Sequence, residues 1–201
     1  FMLRLAVFFG CVGIFGNLFR GEVLEKTLHY YFLTPVRREV LVVGKYAAGL
    51  IAATSLFGFS AAATFILIYL PAGTSAHEFF FNGPGIQQLF AYLGTITLAC
   101  IGYGSVFLLI GLLVRNPIIP AALLLGWENI NFLLPPLLKK ISVIHYLQSL
   151  CPVAIPHRSI EIIAEPTPAW IAIPGLLVVT AVLLALAGLK IRKTEVSYSS
   201  E

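Results

Sequence analysis

Five long apolar runs divide the chain, at residues 2–19, 40–70, 86–114, 118–138 and 169–189. A helix crossing the hydrocarbon core of a bilayer needs about 20 predominantly apolar residues. Each run therefore reads as a membrane span. The first is short, as a truncated span would be, and the second and third are long enough to tilt or to extend past the hydrocarbon. Polarity is gathered between the first two runs. Of the 22 charged side chains in 201 residues, eight fall in "RGEVLEKTLHYYFLTPVRREVLVVGK", residues 20–45.

That segment has a helical pattern of its own. At 100° per residue over 21–33, Leu24, Leu28 and Tyr31 stack on one face with Thr27 and Phe32 beside them. Glu22, Glu25, Lys26 and His29 share the other face, and Glu22 and Lys26 form an i,i+4 pair in the favourable order. Thr34 then suits an N-cap and Pro35 a first helical position, so a second helix runs through Arg37, Arg38 and Glu39 into the next span. Two readings stand side by side. The helix rests on the lipid surface with Arg37 and Arg38 held by anionic headgroups, or it docks on a protein. The polar face, with two Glu and one Lys, favours docking, because a helix bound to a lipid surface prefers a basic polar face.

Composition strengthens the membrane reading. Hydrophobic residues make up 59% of the chain and charged ones 11%, against about 25% charged in a typical soluble domain. The net charge of +4 is explained by basic loops at a membrane surface. There is no Asp and no basic run able to track a phosphate backbone, so nucleic acid is not an expected partner. Placing 20–39 in the cytoplasm puts Arg20, Lys26, Arg37, Arg38, Lys45, Arg115, Lys190, Arg192 and Lys193 on that side and Arg4, Lys139, Lys140 and Arg158 outside, the expected excess of basic residues inside. The C-terminus is then cytoplasmic. Residues 139–168 form an outer segment in which Ile141, Ile144, Leu147 and Cys151 have helical spacing, a helix lying on the outer interface or dipping into it. "RNP" at 115–117 reads as a tight cytoplasmic turn. The reading frame begins at Phe1 with Met2 as its only methionine, and no small-residue cleavage site follows the first run, so the expectation is a chain that lacks its true N-terminus.

Candidate chemistry is sparse. "GWENIN", residues 126–131, places Glu128, Asn129 and Asn131 inside the fourth run. A charge at the bilayer centre costs about 2.5–3.5 kcal/mol on insertion scales and almost always faces a cavity or a partner. The patch reads either as a polar surface lining a substrate pathway or a seam with a second copy or partner, or as a protonated Glu128 hydrogen-bonded to a neighbouring helix. His29, His77, His145 and His157 lack metal-ligand spacing, and Cys11, Cys100 and Cys151 are too scattered for a metal site, so none is expected. No H-E-x-x-H, no pair of carboxylates within a span and no base beside Ser60 or Ser105 supports an intramembrane enzyme. A membrane scaffold or receptor remains the alternative class.

The segment from Phe15 through Lys45 resembles the connection between the second and third spans of type-2 ABC exporter permeases. Gly21, Glu22, Thr27, Leu28, Thr34, Pro35, Arg38, Gly44 and Lys45 fall at the places of that pattern. "LLPPLLKKISVIHYLQSLCP", residues 133–152, is similar to the family's segment between its last two spans. The resemblance implies an all-α polytopic helical bundle with five spans here and six in the intact protein. It implies a cytoplasmic coupling helix in which Glu22, Leu24, Glu25, Thr27, Leu28, His29, Tyr31, Thr34, Pro35 and Arg38 meet a separate ABC ATPase subunit. It further implies a second permease half, ATP and Mg bound by the partner ATPase rather than this chain, and a prokaryotic inner-membrane location. The absence of a G-x-x-x-x-G-K-[ST] loop agrees with ATP being bound elsewhere. For the orientation, cysteines introduced at Ser75 and Glu165 should react with an impermeant thiol reagent added outside, and cysteines at Lys26 and Ser199 should not; the reverse labelling would overturn it.

Overall fold

A computed structural model describes residues 2–19, 21, 38–69, 71, 73–114, 116–130, 142–150 and 168–192. The elements in chain order are α1 (Met2–Asn17), α2 (Arg38–Tyr69), α3 (Thr74–Phe81), α4 (Gly85–Leu113), α5 (Ile118–Ile130), α6 (Val143–Leu150) and α7 (Ala169–Arg192). All regular structure among the described residues is helical. Three helices, α2, α4 and α7, are long and apolar enough to cross a membrane, and α1 is a shorter apolar helix. Most of the coupling segment, from Glu22 to Pro35, lies outside the described residues, as do Asn131 and the rest of the fourth run, so the five-span count and the coupling helix are not addressed by the fold.

The helix boundaries follow local chemistry. Glu39 lies in the first turn of α2 and Lys190 and Arg192 in the last turn of α7, each of the sign favoured by the helix dipole. α4 stops where Val114 turns extended (φ −124°, ψ 136°). Pro117 then leads into α5, its carbonyl accepting from the amide of Ala121 at 3.1 Å. The stretch 71–85, which joins the second and third apolar runs, contains α3. Its entry is Gly73 at φ +89°, a left-handed conformation that a Cβ would strain.

α4 is the axis of the bundle, with α1, α2 and α7 all packed against it. Small residues let the neighbours approach closely. A Cβ on Gly102 would lie 2.8 Å from Val143 of α6 and 2.9 Å from Leu176 of α7. At Gly104 it would meet the Phe15 ring of α1 at 2.7 Å, and at Gly111 the backbone oxygen of Gly16 at 2.6 Å. Gly10 of α1 is covered in the same way by the Phe57 ring of α2. Between these contacts lie Phe8, Phe15, Tyr103, Phe107 and Leu108, all fully buried.

α6 belongs to this interior. Val143 seats on Gly102, the Tyr146 ring lies against Gly175 of α7, and Thr95 of α4 donates to the carbonyl of Leu150 at 3.4 Å. Of the spaced apolar residues expected to face the membrane interface, Ile144 and Leu147 are buried within the bundle, while Ile141 and Cys151 lie outside the described residues.

Two links close the end where α1 stops and α2 starts. Lys45 Nζ donates to the carbonyl of Leu18 at 3.0 Å and stands 4.9 Å over the Phe19 ring. Arg192 and Glu39 pair at 3.0 Å, joining α7 to α2. Both Arg192 and Glu39 are well exposed, so this pair contributes little stability, about 0–1 kcal/mol.

The glycine contacts yield a graded test. Gly111→Val should destabilise the bundle by about 1–3 kcal/mol, because the obstacle is backbone and cannot rotate aside. Gly94→Ala, with open space around it, should be neutral or stabilise by up to about 1 kcal/mol. Thermal unfolding in detergent reads both.

Candidate functional site

Glu128 is the most enclosed charged group among the described residues, its side chain 1% exposed. Its position follows from the pattern of α5. Ala121, Leu124, Leu125 and Glu128 share the face turned to the bundle, while Ile118, Ile119, Leu123 and Trp127 face outward. A carboxylate on the inner face of an apolar helix needs partners, because leaving it unpaired costs several kcal/mol.

Two other helices supply them. Arg4 of α1 places Nη2 3.3 Å from Oε2 of Glu128, with the Arg4 side chain 23% exposed. The Tyr103 hydroxyl of α4 straddles the carboxylate, 3.0 Å from Oε1 and 2.8 Å from Oε2, and donates its single proton to the pair of oxygens. The backbone amide of Ile144, in the first turn of α6, faces the same carboxylate. That amide is among the donors a helix N-terminus leaves without an intrahelical partner. Glu128 therefore joins α1, α4, α5 and the buried start of α6.

The Tyr103 ring is itself held. Phe8, one turn beyond Arg4 on α1, meets it edge-on at 5.3 Å and 78°, and Phe8 meets Phe107 at 5.0 Å and 89°. Such edge-to-face pairs contribute about 0.5–1.5 kcal/mol beyond their buried area. The aromatic packing sets where the hydroxyl points, and the hydroxyl meets the carboxylate.

Asn129 does not join this cluster. It is exposed, and its Nδ2 donates to the carbonyl of Leu125 in its own helix at 2.8 Å. The three polar residues of "GWENIN" thus separate: Glu128 inside, Asn129 outside, and Asn131 beyond the described residues. Of the coupling residues, Arg38 opens α2; Glu22, Leu24, Glu25, Thr27, Leu28, His29, Tyr31, Thr34 and Pro35 are not described. Arg4 was read from the sequence only as a charge at the outer boundary. The signal for its pairing was present, since Arg4 and Glu128 are the sole charges in α1 and α5 and have opposite signs. Buried charges in apolar helices usually pair with one another. Tyr103 carried no comparable signal.

The chemistry of the cluster is that of a joint. Ser105, two residues along α4 from Tyr103, is buried and donates to the carbonyl of Gly102 at 2.8 Å. Among the described residues no group of three or more His, Cys, Asp or Glu could hold a metal ion. Cys11 and Cys100 are free, buried and adjacent across the α1–α4 contact. No protein-family model, curated protein or solved structure matches the chain.

Substitutions at the joint should grade by partner. Tyr103→Phe removes a hydrogen bond to a charged group and should cost about 1.5–3 kcal/mol. Asn129→Ala, which removes only an exposed bond within one helix, should change stability by less than about 0.5 kcal/mol. Denaturant unfolding in mixed micelles measures both; equal costs at the two positions would contradict the assignment of Glu128 and Tyr103 as the joint.

Proposed function

We propose that this chain is the membrane-spanning permease subunit of an ATP-driven transporter of the type-2 ABC exporter class, coupled to a separate cytoplasmic ATPase. The reading starts from the 20–45 segment, whose residues follow that family's pattern. The observation that carries it further is the Lys45 clamp. Lys45, the last residue of the pattern, bonds the carbonyl of Leu18 and covers Phe19. The residues on either side of the 20–37 segment are thereby tied together at one end of the bundle. A push delivered to that segment would be passed to α1 and α2 jointly instead of being lost in a slack loop.

The Glu128 joint supports the same reading. It links α1 to α4, α5 and α6 through a charge-assisted contact, the strongest kind of polar contact in the bundle. Displacement of α1 at its clamped end would be felt by α5 at Glu128. The outward face of α5, with Ile119, Leu123, Trp127 and Asn129, is exposed among the described residues and is the face offered to a second permease half. The ATP and Mg sites belong to the partner ATPase, and the chain sits in a prokaryotic inner membrane with its C-terminus in the cytoplasm.

The test is co-purification of an ATPase subunit from native membranes, identified by labelling with a photoreactive ATP analogue, with ATP-driven transport followed in vesicles. Tyr31→Ala removes an aromatic anchor, a change that typically costs about 2 kcal/mol or more at a small interface. Glu25→Lys introduces a charge its partner would not match. At least one should release the ATPase or uncouple hydrolysis from transport while the protein still inserts. If both variants keep the ATPase and transport normally, and removal of Arg37 and Arg38 frees the segment from anionic lipid, the segment is a lipid-surface helix and the proposal fails.

A further inference from the structure

The connection between α2 and α4 is unlike an ordinary exposed loop. No Lys or Arg occurs between Lys45 and Arg115, and Glu78 is the one acidic residue in that stretch. Its tip is aromatic. Tyr69, at the end of α2, stacks on Phe79 at 5.7 Å and 19° and meets Phe80 at 5.8 Å. Phe65 of α2 contacts Tyr69 at 5.3 Å and Tyr92 of α4 at 5.8 Å. The return into α4 is tight. A Cβ on Gly83 would lie 2.6 Å from the Phe79 oxygen, and one on Gly85 would lie 2.7 Å from Cα of Phe80. α3 is therefore pinned across the ends of α2 and α4, with Phe79 and Phe80 packed inward.

Phe81 is left over. It meets Phe80 edge-on at 5.0 Å, yet is 62% exposed. Leu67 and Ile68 of α2 and Ile86 and Phe90 of α4 are exposed as well, so the tip carries apolar surface on all three helices.

Helix lengths place this surface. α4 has 29 residues, about 43 Å at ~1.5 Å per residue. The hydrocarbon core is ~30 Å thick and the whole bilayer with headgroups ~40–45 Å. Centred on the bilayer, with the Leu113 end next to Arg115 in one headgroup layer, α4 ends at Gly85 within the opposite headgroup layer. A typical tilt of ~20° shortens this reach by only a few ångströms. Aromatic side chains concentrate at that depth, where an apolar ring is covered by acyl chain ends and headgroups.

We propose that α3 is an interfacial anchor, with Phe81 seated among the lipid headgroups and upper acyl chains of the leaflet at that end of the bundle. The proposal rests on the membrane-spanning reading. It needs no partner protein: the approach free of Lys and Arg, the length of α4 beyond the hydrocarbon and the exposed ring all match the boundary that two spans joined by a short connection must meet. Anchored in this way, α3 fixes how far α2 and α4 can slide along the membrane normal.

Tryptophan fluorescence in phosphatidylcholine vesicles tests it. The native tryptophans, Trp127 and Trp170, are both exposed and are replaced by Phe. Phe81→Trp is then the reporter, and Val178→Trp, exposed in the middle of α7, is a separate depth control. The Phe81→Trp protein should emit to the blue of tryptophan in water. It should lose more intensity to lipids spin-labelled near the headgroup than to lipids labelled near the chain end, with the Val178→Trp protein showing the opposite order. Red emission quenched by aqueous iodide would put α3 in water and overturn the proposal. Blue emission untouched by either lipid would mean that protein, such as a second copy, covers Phe81, and would overturn it too. If the Val178→Trp protein also escapes lipid quenching, the membrane-spanning reading fails and the anchor with it.

Discussion

A carboxylate cannot sit unpartnered inside an apolar bundle, and Glu128 is placed where that constraint governs the packing around it. Its neighbours answer from three directions: the Arg4 guanidinium of α1, the Tyr103 hydroxyl of α4 and the start of α6. α5 is otherwise lightly held, with most of its apolar side chains facing outward. A buried ion pair adds less net stability than its Coulomb attraction suggests, since both charges must lose water. What it adds is direction. Apolar helices can slide and rotate past one another at small cost, but an arginine, a tyrosine and a glutamate that must meet allow one arrangement of α1, α4 and α5.

Around that joint the bundle is set by close approach. The glycines of α4 admit Phe15, Gly16, Val143 and Leu176 at distances a Cβ would forbid. Such packing replaces the hydrophobic drive that is absent between helices in lipid. The polar links lie at different levels of this apolar body. Glu128 holds the interior, Lys45 and the Glu39–Arg192 pair hold the end where α1 meets α2, and the aromatic tip around Tyr69 and Phe79 closes the α2–α4 hairpin. This arrangement suits the proposed permease role, in which motion enters at one end and is passed along stiff helices.

Much of the fold was legible because long apolar runs with polar punctuation leave few alternatives. The runs at 40–70, 86–114 and 169–189 became Arg38–Tyr69, Gly85–Leu113 and Ala169–Arg192, with edges shifted by a few residues at most. Pro117 marked the start of α5 as its chemistry predicts. Periodicity also found the buried face of α6 through Ile144 and Leu147, but not its depth, because seating Val143 on Gly102 is a long-range contact with no local mark. α3 was missed since eight residues carry too little periodicity to distinguish a helix from a loop. At the joint, Glu128 stood out as a charge in an apolar run, whereas Asn129 was grouped with it by adjacency alone. One residue along a helix is a 100° turn, enough to carry Asn129 off the buried face.

The central claim is that the contact between Arg4 and Glu128 specifies how α1 and α5 meet. Exchanging the charges tests it most directly: Arg4→Glu, Glu128→Arg and the two together, each followed by denaturant unfolding and by the yield of folded protein in detergent. Each single change sets like charges against each other in a buried site and should cost about 3–5 kcal/mol. The double change restores an opposite pair and should recover at least about 1 kcal/mol of the summed loss, the coupling expected of residues in contact. Additive losses, with the double variant no more stable than the sum of the singles, would show that the two charges do not meet.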